Sequence, residues 1–206
     1  MDRVLIAFVT HSGSTRETAE AMRDAFVSLG HEVDVRPIAE VTDLSPYDLI
    51  VAGGLLYRFG WHPDIVGFLS SRQAELAAKR VAVFVTGLRV VKTPLCDEPP
   101  CPLFVDPSML VQPATPGRVG PLERLSTMEG YLRQALPAIA GIRPLSLGFF
   151  SGRLDLDVLG LPERLIMRLL MLLTGIRQGD HRNWEAIGGW VSQVHAAAQR
   201  GAPLGA

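Results

Sequence analysis

The 206 residues carry 20 Lys and Arg against 21 Asp and Glu, a net charge of −1, and no long basic run that would mark a nucleic-acid surface. Hydrophobic residues at 48% and a mean hydropathy of +0.22 supply a full core, so the length predicts one domain over residues 1–200. Two cysteines make no disulfide framework and the N-terminus opens directly on a strand pattern, so a cytoplasmic protein is expected.

The first predicted element is Val4-Leu5-Ile6-Ala7-Phe8-Val9, whose unbroken apolarity predicts a strand buried on both faces, as in a parallel sheet. Thr10-His11-Ser12-Gly13-Ser14-Thr15 follows as a loop. After it, Ala19, Met22, Phe26 and Leu29 recur at the period of one helical face. Ser14 and Glu17 have capping-box spacing, and Gly30 stands where a helix ends. A helix N-terminus offers unpaired amides and a positive dipole end, Gly13 permits close approach, and Thr10, Ser12, Ser14 and Thr15 add hydroxyls. The residues alone leave two readings open: a phosphate seat, or a capped helix after a strand. Neither Gly-x-x-x-x-Gly-Lys nor Gly-x-Gly-x-x-Gly occurs there, against nucleoside-triphosphate and dinucleotide loops.

Residues 31–38 alternate as an edge strand does, and a buried strand over 47–52 ends at Gly53-Gly54. The next loop, Leu55-Leu56-Tyr57-Arg58-Phe59-Gly60-Trp61-His62, concentrates aromatics between glycines, and Pro63 opens a helix running toward Ala77. Residues 80–86 form another strand, ending at Gly87-Leu88-Arg89. From about 90 to 121 prolines dominate, which predicts an insertion covering or flanking a site. Leu122, Leu125, Met128, Leu132, Leu136 and Ile139 then read as a helix, 144–150 as the last strand, and 184–198 as the final helix.

Residues 161–176 form a strongly apolar helix interrupted by Arg164 and Arg168, too short to span a bilayer. The expectation is a crossover helix packed on the sheet; the alternative lays it on a membrane with both arginines at the interface. Cys96 and Cys101, in Cys-Asp-Glu-Pro-Pro-Cys, have no partners at zinc-ligand spacing, so no metal is expected and two free thiols are favoured over a labile disulfide.

Strands alternating with helices imply a mostly parallel sheet covered on both faces, with ligands beyond the strand C-termini where strand order reverses. The loops 10–15, 53–62 and 87–92 all leave such ends and together predict one site.

The stretch Phe8-Val9-Thr10-His11-Ser12-Gly13-Ser14-Thr15-Arg16-Glu17-Thr18-Ala19 resembles the phosphate-loop signature of the flavodoxin-like FMN-binding family. The resemblance implies a three-layer α/β sandwich with a five-stranded parallel sheet in the order 2-1-3-4-5. It implies FMN as cofactor, its phosphate on Thr10, His11, Ser12, Gly13, Ser14 and Thr15. The ring would lie against Tyr57, Phe59 or Trp61 in the loop that also holds Arg58 and Gly60, with backbone groups at Gly54, Leu55, Thr86, Gly87, Leu88 and Arg89 along its edge. Within that family, Tyr57-Arg58-Phe59-Gly60-Trp61-His62, 148–155, 165–171 and Asn183-Trp184-Glu185 are similar to menaquinone-dependent protoporphyrinogen oxidases of the flavodoxin type.

That likeness implies an oxidoreductase passing electrons from a reduced substrate through flavin to a quinone, a lipid-soluble acceptor that the membrane alternative for 161–176 would bring within reach. Arg58, Arg89, Lys92 and Arg153 would rim the site for a carboxylated substrate, and His62 is a candidate proton acceptor. A non-enzymatic electron carrier and a flavin-free binding module remain the alternatives. The near balance of acids and bases weighs against a carrier that docks by acidic charge.

Overall fold

The computed structural model describes residues 2–57, 60–94, 99–116 and 118–200. In chain order the elements are β1 (Arg3–Phe8), α1 (Ser14–Ser28), β2 (Glu32–Pro37), β3 (Leu49–Tyr57), β4 (Gly60–Trp61), α2 (Pro63–Ser71), α3 (Gln73–Ala77), β5 (Arg80–Gly87) and β6 (Val90–Val91). They continue with β7 (Leu103–Val105), β8 (Leu110–Val111), α4 (Pro121–Arg124), α5 (Met128–Ile139), β9 (Leu147–Ser151), β10 (Arg153–Leu154), α6 (Leu161–Thr174), β11 (Gly179–Asp180) and α7 (Trp184–Gln199).

The main sheet runs β2-β1-β3-β5-β9-β7, every neighbouring pair parallel. Its inner strands are apolar throughout because alternate side chains feed two separate cores. Leu5, Ala7, Ile50, Val83 and Phe149 face Ile65 and Leu69 of α2 and Leu132 and Ile139 of α5. Val4, Ile6, Phe8, Val51 and Phe84 face Met22 and Phe26 of α1 and Trp190 and Val194 of α7. The strand order expected from the sequence stands for its first five members, and the layers are as expected.

Four local expectations need correction. The strand predicted to stop at Ala52 continues through Gly53-Gly54 to Tyr57, because both glycines are packing positions. A side chain at Gly53 would collide with the Phe84 ring, and a Cβ at Gly54 would stand 3.2 Å from Ile65. After residues 58–59 the chain returns antiparallel as β4, so the aromatic stretch is a hairpin. The helix expected toward Ala77 breaks at Arg72, whose guanidinium donates to the Val41 carbonyl at 2.7 Å.

The proline-rich stretch is not a bare loop but carries strands of its own: β7 adds a sixth parallel strand beside β9, and β6 pairs with β8. The fully buried Asp106 fastens it. Its carboxylate accepts from the Ser108 and Ser151 amides at 3.0 and 3.2 Å and from the Asn183 side chain at 3.1 Å. Cys101 is a buried free thiol pushed up to about 11 by burial, and Cys96 lies outside the described residues.

The fourth correction is α6. None of its described side chains belongs to either core layer, so the packed-crossover expectation fails. Residues 152–182 instead form an arm: β10 and β11 pair as an antiparallel ribbon, and α6 stands between them. Among the described residues no helix is long and apolar enough to cross a membrane.

At the opposite end of the sheet, His31 joins α1, α7 and the N-terminus. The Asp2 amide donates to its Nδ1 at 3.3 Å, so Nε2 carries the proton and meets His195 Nδ1 at 2.8 Å. Burial, the largest cause, pulls the His31 pKa below its ordinary value, with His195 adding and Asp2 opposing. A group that binds its proton more weakly when folded contributes stability that is complete above its unfolded pKa of about 6.5 and lost as pH falls below it. The melting temperature is therefore expected to fall between pH 7.5 and 5.5, with a flatter slope in His31→Gln, which keeps a donor for His195 without titrating. Equal slopes in the two proteins would contradict this.

Candidate functional site

All main-sheet strands point their C-termini to one edge, and the order reverses between β1 and β3. At that edge lies a cavity of about 290 Å³. His11, Ser12 and Ser14 line it after β1, Leu55, Leu56 and Tyr57 at the end of β3, and Thr86, Gly87, Leu88 and Arg89 at the end of β5. Three loops widely separated in sequence thus meet in one space.

The first loop has a specific construction. Gly13 adopts φ +87°, a conformation that L side chains avoid, and so becomes the N-cap of α1 without a side chain to cap it. Ser14 is consequently the first helical residue, and the capping box expected from Ser14 and Glu17 does not form. The physical reason is the Thr10 hydroxyl. It accepts from the Gly13 amide at 2.9 Å, and the helix starts one residue earlier than the sequence spacing suggests. Among the described residues no side chain caps this end, and a Cβ built on Gly13 would meet nothing within 4 Å. The result is a set of unpaired first-turn amides facing open space, flanked by the Ser12 and Ser14 hydroxyls: the donor set an anion requires.

Behind the loop, Thr15 is buried and its hydroxyl pairs with that of Thr86 at 3.0 Å, while Thr86 reaches the Gly54 carbonyl at 3.4 Å. These contacts lock the starts of the β1 and β5 loops together. Thr10 and Thr15 are therefore structural members of the loop, and His11, Ser12 and Ser14 face the cavity.

The remaining walls are apolar. Tyr131 of α5 and Leu56, Tyr57 and Leu88 form a slot, closed from the other side by Leu154, Val158, Leu159, Ile166, Met167, Leu170 and Ile176 of the arm. Burial raises the Tyr131 pKa, and its hydroxyl points to the Arg89 carbonyl at 3.5 Å. Gly87 is a close-approach position: a Cβ there would stand 2.7 Å from Leu56, and its carbonyl accepts from the Gly152 amide at 2.6 Å.

Other expected site residues sit elsewhere. Trp61 is in the core with its ring edge-on to Phe149 at 6.4 Å, and Gly54 packs on Ile65. Gly60 lies in β4, closed in by Gln134, and Lys92 donates its amide to Val111. None of these four lines the cavity. His62 is the N-cap of α2, accepting from the Asp64 amide, with its ring 5.7 Å from that of Tyr57. Arg58 and Phe59 lie outside the described residues. Arg153 does line the cavity, as does Arg89.

Sequence reasoning missed Ser126, Tyr131 and the arm's inward residues. The apolar character of 161–176 was the available signal, but its direction was not.

The arm is tied to the anion loop by charge. Glu17, in the first turn of α1, meets Arg182 at 2.6 Å and Arg153 at 3.6 Å. Arg182, only 4% exposed, also grips Asp180 at 2.6 Å and stacks on Trp184 at 4.5 Å. The hydrogen bond from Arg182 holds the Asp180 carboxyl below its ordinary range. Arg182→Met would take from Asp180 its ion-pair partner and leave Glu17 with Arg153 alone. Because both carboxylates are partly solvated, the expected loss is about 1–2 kcal/mol in urea unfolding. Faster amide exchange at Leu154 and Gly179 should accompany it. Unchanged stability and unchanged exchange would remove the staple role.

With this geometry in hand, the profile of the flavodoxin domain matches residues 5–180. A short-chain flavodoxin associated with a non-canonical PDU bacterial microcompartment superposes with a TM-score of 0.54 at 12% identity, over 96% of this chain and 99% of its own. A flavodoxin from the domain Archaea aligns at 20% identity with a TM-score of 0.38, over 42% of this chain and 63% of its own. The flavodiiron protein from Giardia intestinalis aligns at 12% identity with a TM-score of 0.45, over 98% of this chain and 38% of its own. The chain thus spans less than two thirds of the archaeal flavodoxin's length. No curated protein matches. The fold follows the short-chain flavodoxin, and by the profile match over residues 5–180 the chain belongs to the flavodoxin-domain family.

Proposed function

We propose that the protein is an FMN-dependent oxidoreductase that takes electrons from a reduced small molecule and passes them to a quinone. The observation that carries the flavin part is the uncapped α1 N-terminus with Ser12 and Ser14, opening at one end of an apolar slot. A phosphate suits the amides and the dipole, and a flat aromatic ring suits the walls of Tyr57, Leu56, Leu88 and Tyr131. When bound, FMN supplies the two-electron chemistry, and the protein's contribution is binding, orientation and exclusion of water. The Gly87 and Leu88 backbone would border the ring, and the arm would shield it from solvent.

The finer assignment, oxidation of a porphyrinogen with a menaquinone-type acceptor, rests on the sequence likeness of 57–62, 148–155 and 165–171. Arg89 and Arg153 at the cavity are consistent with a carboxylated donor. His62 is committed to the α2 cap and is not assigned a proton-transfer role. A pure electron carrier is the second reading. The charge balance disfavours it, and the arm over the slot screens the ring that such a carrier must expose.

Two measurements test the proposal. Ser14→Asp places a carboxylate on the anion seat while favouring the helix dipole. It should weaken FMN binding about 100-fold in a fluorescence-quenching titration with the melting temperature held or raised. Wild-type affinity in that variant would move the phosphate elsewhere. FMN-loaded protein should oxidise protoporphyrinogen IX only when a menaquinone analogue is present. Arg89→Ala or Arg153→Ala should raise KM about tenfold with kcat little changed, the signature of lost ground-state binding. Loaded protein that reduces the quinone from other donors but leaves porphyrinogen untouched would remove the substrate and keep the flavin.

A further inference from the structure

The two walls of the slot are held in different ways. On the sheet side, Leu56 and Tyr57 belong to β3, and Tyr131 of α5 is a buried member of the core. On the arm side, Leu154, Leu159, Met167 and Leu170 line the same space, and none of them belongs to a core cluster. The outer side of α6 adds no support, since Leu161, Leu165, Leu169 and Leu172 are exposed. Segments with few core contacts are the ones that open below the cost of global unfolding. A flat ligand that enters between the walls therefore parts them on the arm side.

The arm is braced within itself. β10 pairs with β11, and Arg164 ties the start of α6 to the Asp157 and Leu159 carbonyls at 3.2 and 3.3 Å. His181 Nε2 donates to the Arg177 carbonyl at 2.9 Å, which closes the other end. The two chain connections of the arm lie side by side, because the His181 amide donates to the Gly152 carbonyl at 3.2 Å. A paired ribbon with adjacent roots can turn about one axis without losing its own hydrogen bonds. Its ion pairs to the first turn of α1 converge on a single side chain, with Glu17 meeting Arg153 at 3.6 Å and Arg182 at 2.6 Å.

We propose that the arm is a hinged gate over the slot, turning as one body about the Gly152–His181 junction, and that Glu17 is the catch that holds it shut. Water reaches the catch: the Glu17 side chain is 45% exposed and that of Arg153 34%. Ion pairs so placed are weak enough to break and re-form. The apolar lining favours the shut state, because opening exposes it to water. Entry and exit of a ligand both scale with the fraction of molecules whose gate stands open. Loss of the catch thus changes rates more than affinity.

The test compares full-length wild type, Glu17→Gln and Glu20→Gln. Glu20 pairs with Arg16 on the same helix at 3.0 Å and controls for loss of a charge on α1. Use of FMN as the probe rests on the proposed function; the exchange measurement does not. In stopped-flow fluorescence quenching, Glu17→Gln should show FMN association and dissociation rate constants each about tenfold larger, with Kd within about threefold of wild type. Glu20→Gln should match wild type. Weaker binding in Glu17→Gln with an unchanged association rate constant overturns the gate, since Glu17 would then only shape a fixed wall. Unchanged rates overturn it as well.

Amide exchange of the ligand-free proteins, read by mass spectrometry, should be about tenfold faster in Glu17→Gln across β10, α6 and β11 alike, and unchanged in β5 and β9. Acceleration confined to the ribbon, with α6 unaffected, overturns the single-body hinge whether or not FMN binds. Accelerated exchange throughout the arm with no uptake of FMN by any of the three proteins supports the gate and removes the flavin reading alone.

Discussion

The arrangement of the site depends on how one helix begins. Thr10 takes the Gly13 amide, Gly13 turns left-handed, and α1 starts with no side chain over its first-turn amides. Of the other longer helices, α2, α5 and α7 are capped by the side chains of His62, Thr127 and Asn183, while α6, like α1, starts at a glycine, Gly160, with no side-chain cap. The contrast matters because an uncapped terminus retains unsatisfied donors that a ligand can satisfy. Its location at the reversal of strand order brings the ends of β3 and β5 alongside, so an anion seat and an apolar slot become one cavity.

The second constraint is the arm. A ribbon as short as β10 and β11 is marginal alone, and here Glu17, Arg153, Arg182 and Asp180 fasten it to the first turn of α1. The same helix therefore presents the donors and anchors the wall of the slot. Charge does the fastening, and the arm's apolar side chains line the cavity together with Leu56, Tyr57 and Tyr131. None of the described side chains of α6 joins a core of the sheet: Ile166, Met167 and Leu170 line the cavity, and Leu161, Leu165, Leu169 and Leu172 are exposed.

Much of this was legible in the chain. Apolar runs at 4–9 and 80–86 announced buried parallel strands, and the hydroxyl-rich loop after the first announced a helix terminus able to hold an anion. Errors arose where local pattern competes with packing. Gly53-Gly54 read as a strand end but accommodates the Phe84 ring inside β3. Eight prolines read as a loop, yet Leu103–Val105 finds a sheet edge and Asp106 a set of buried donors. Trp61 looked like a ring-stacking aromatic, and only the hairpin register shows that it turns into the core. Apolarity placed α6 as a helix, but periodicity alone cannot say whether an apolar face meets a sheet, a cavity or a membrane.

The central claim is that the α1 N-terminus holds a phosphate. Parallel titrations of the ligand-free protein with FMN and with riboflavin, which has the same ring and no phosphate, test it most directly. The account predicts that FMN binds at least about 100-fold more tightly, a difference of about 2.7 kcal/mol, and that high salt narrows the gap only slightly. Equal affinity for the two would leave the ring slot intact and contradict the anion seat on which the rest depends.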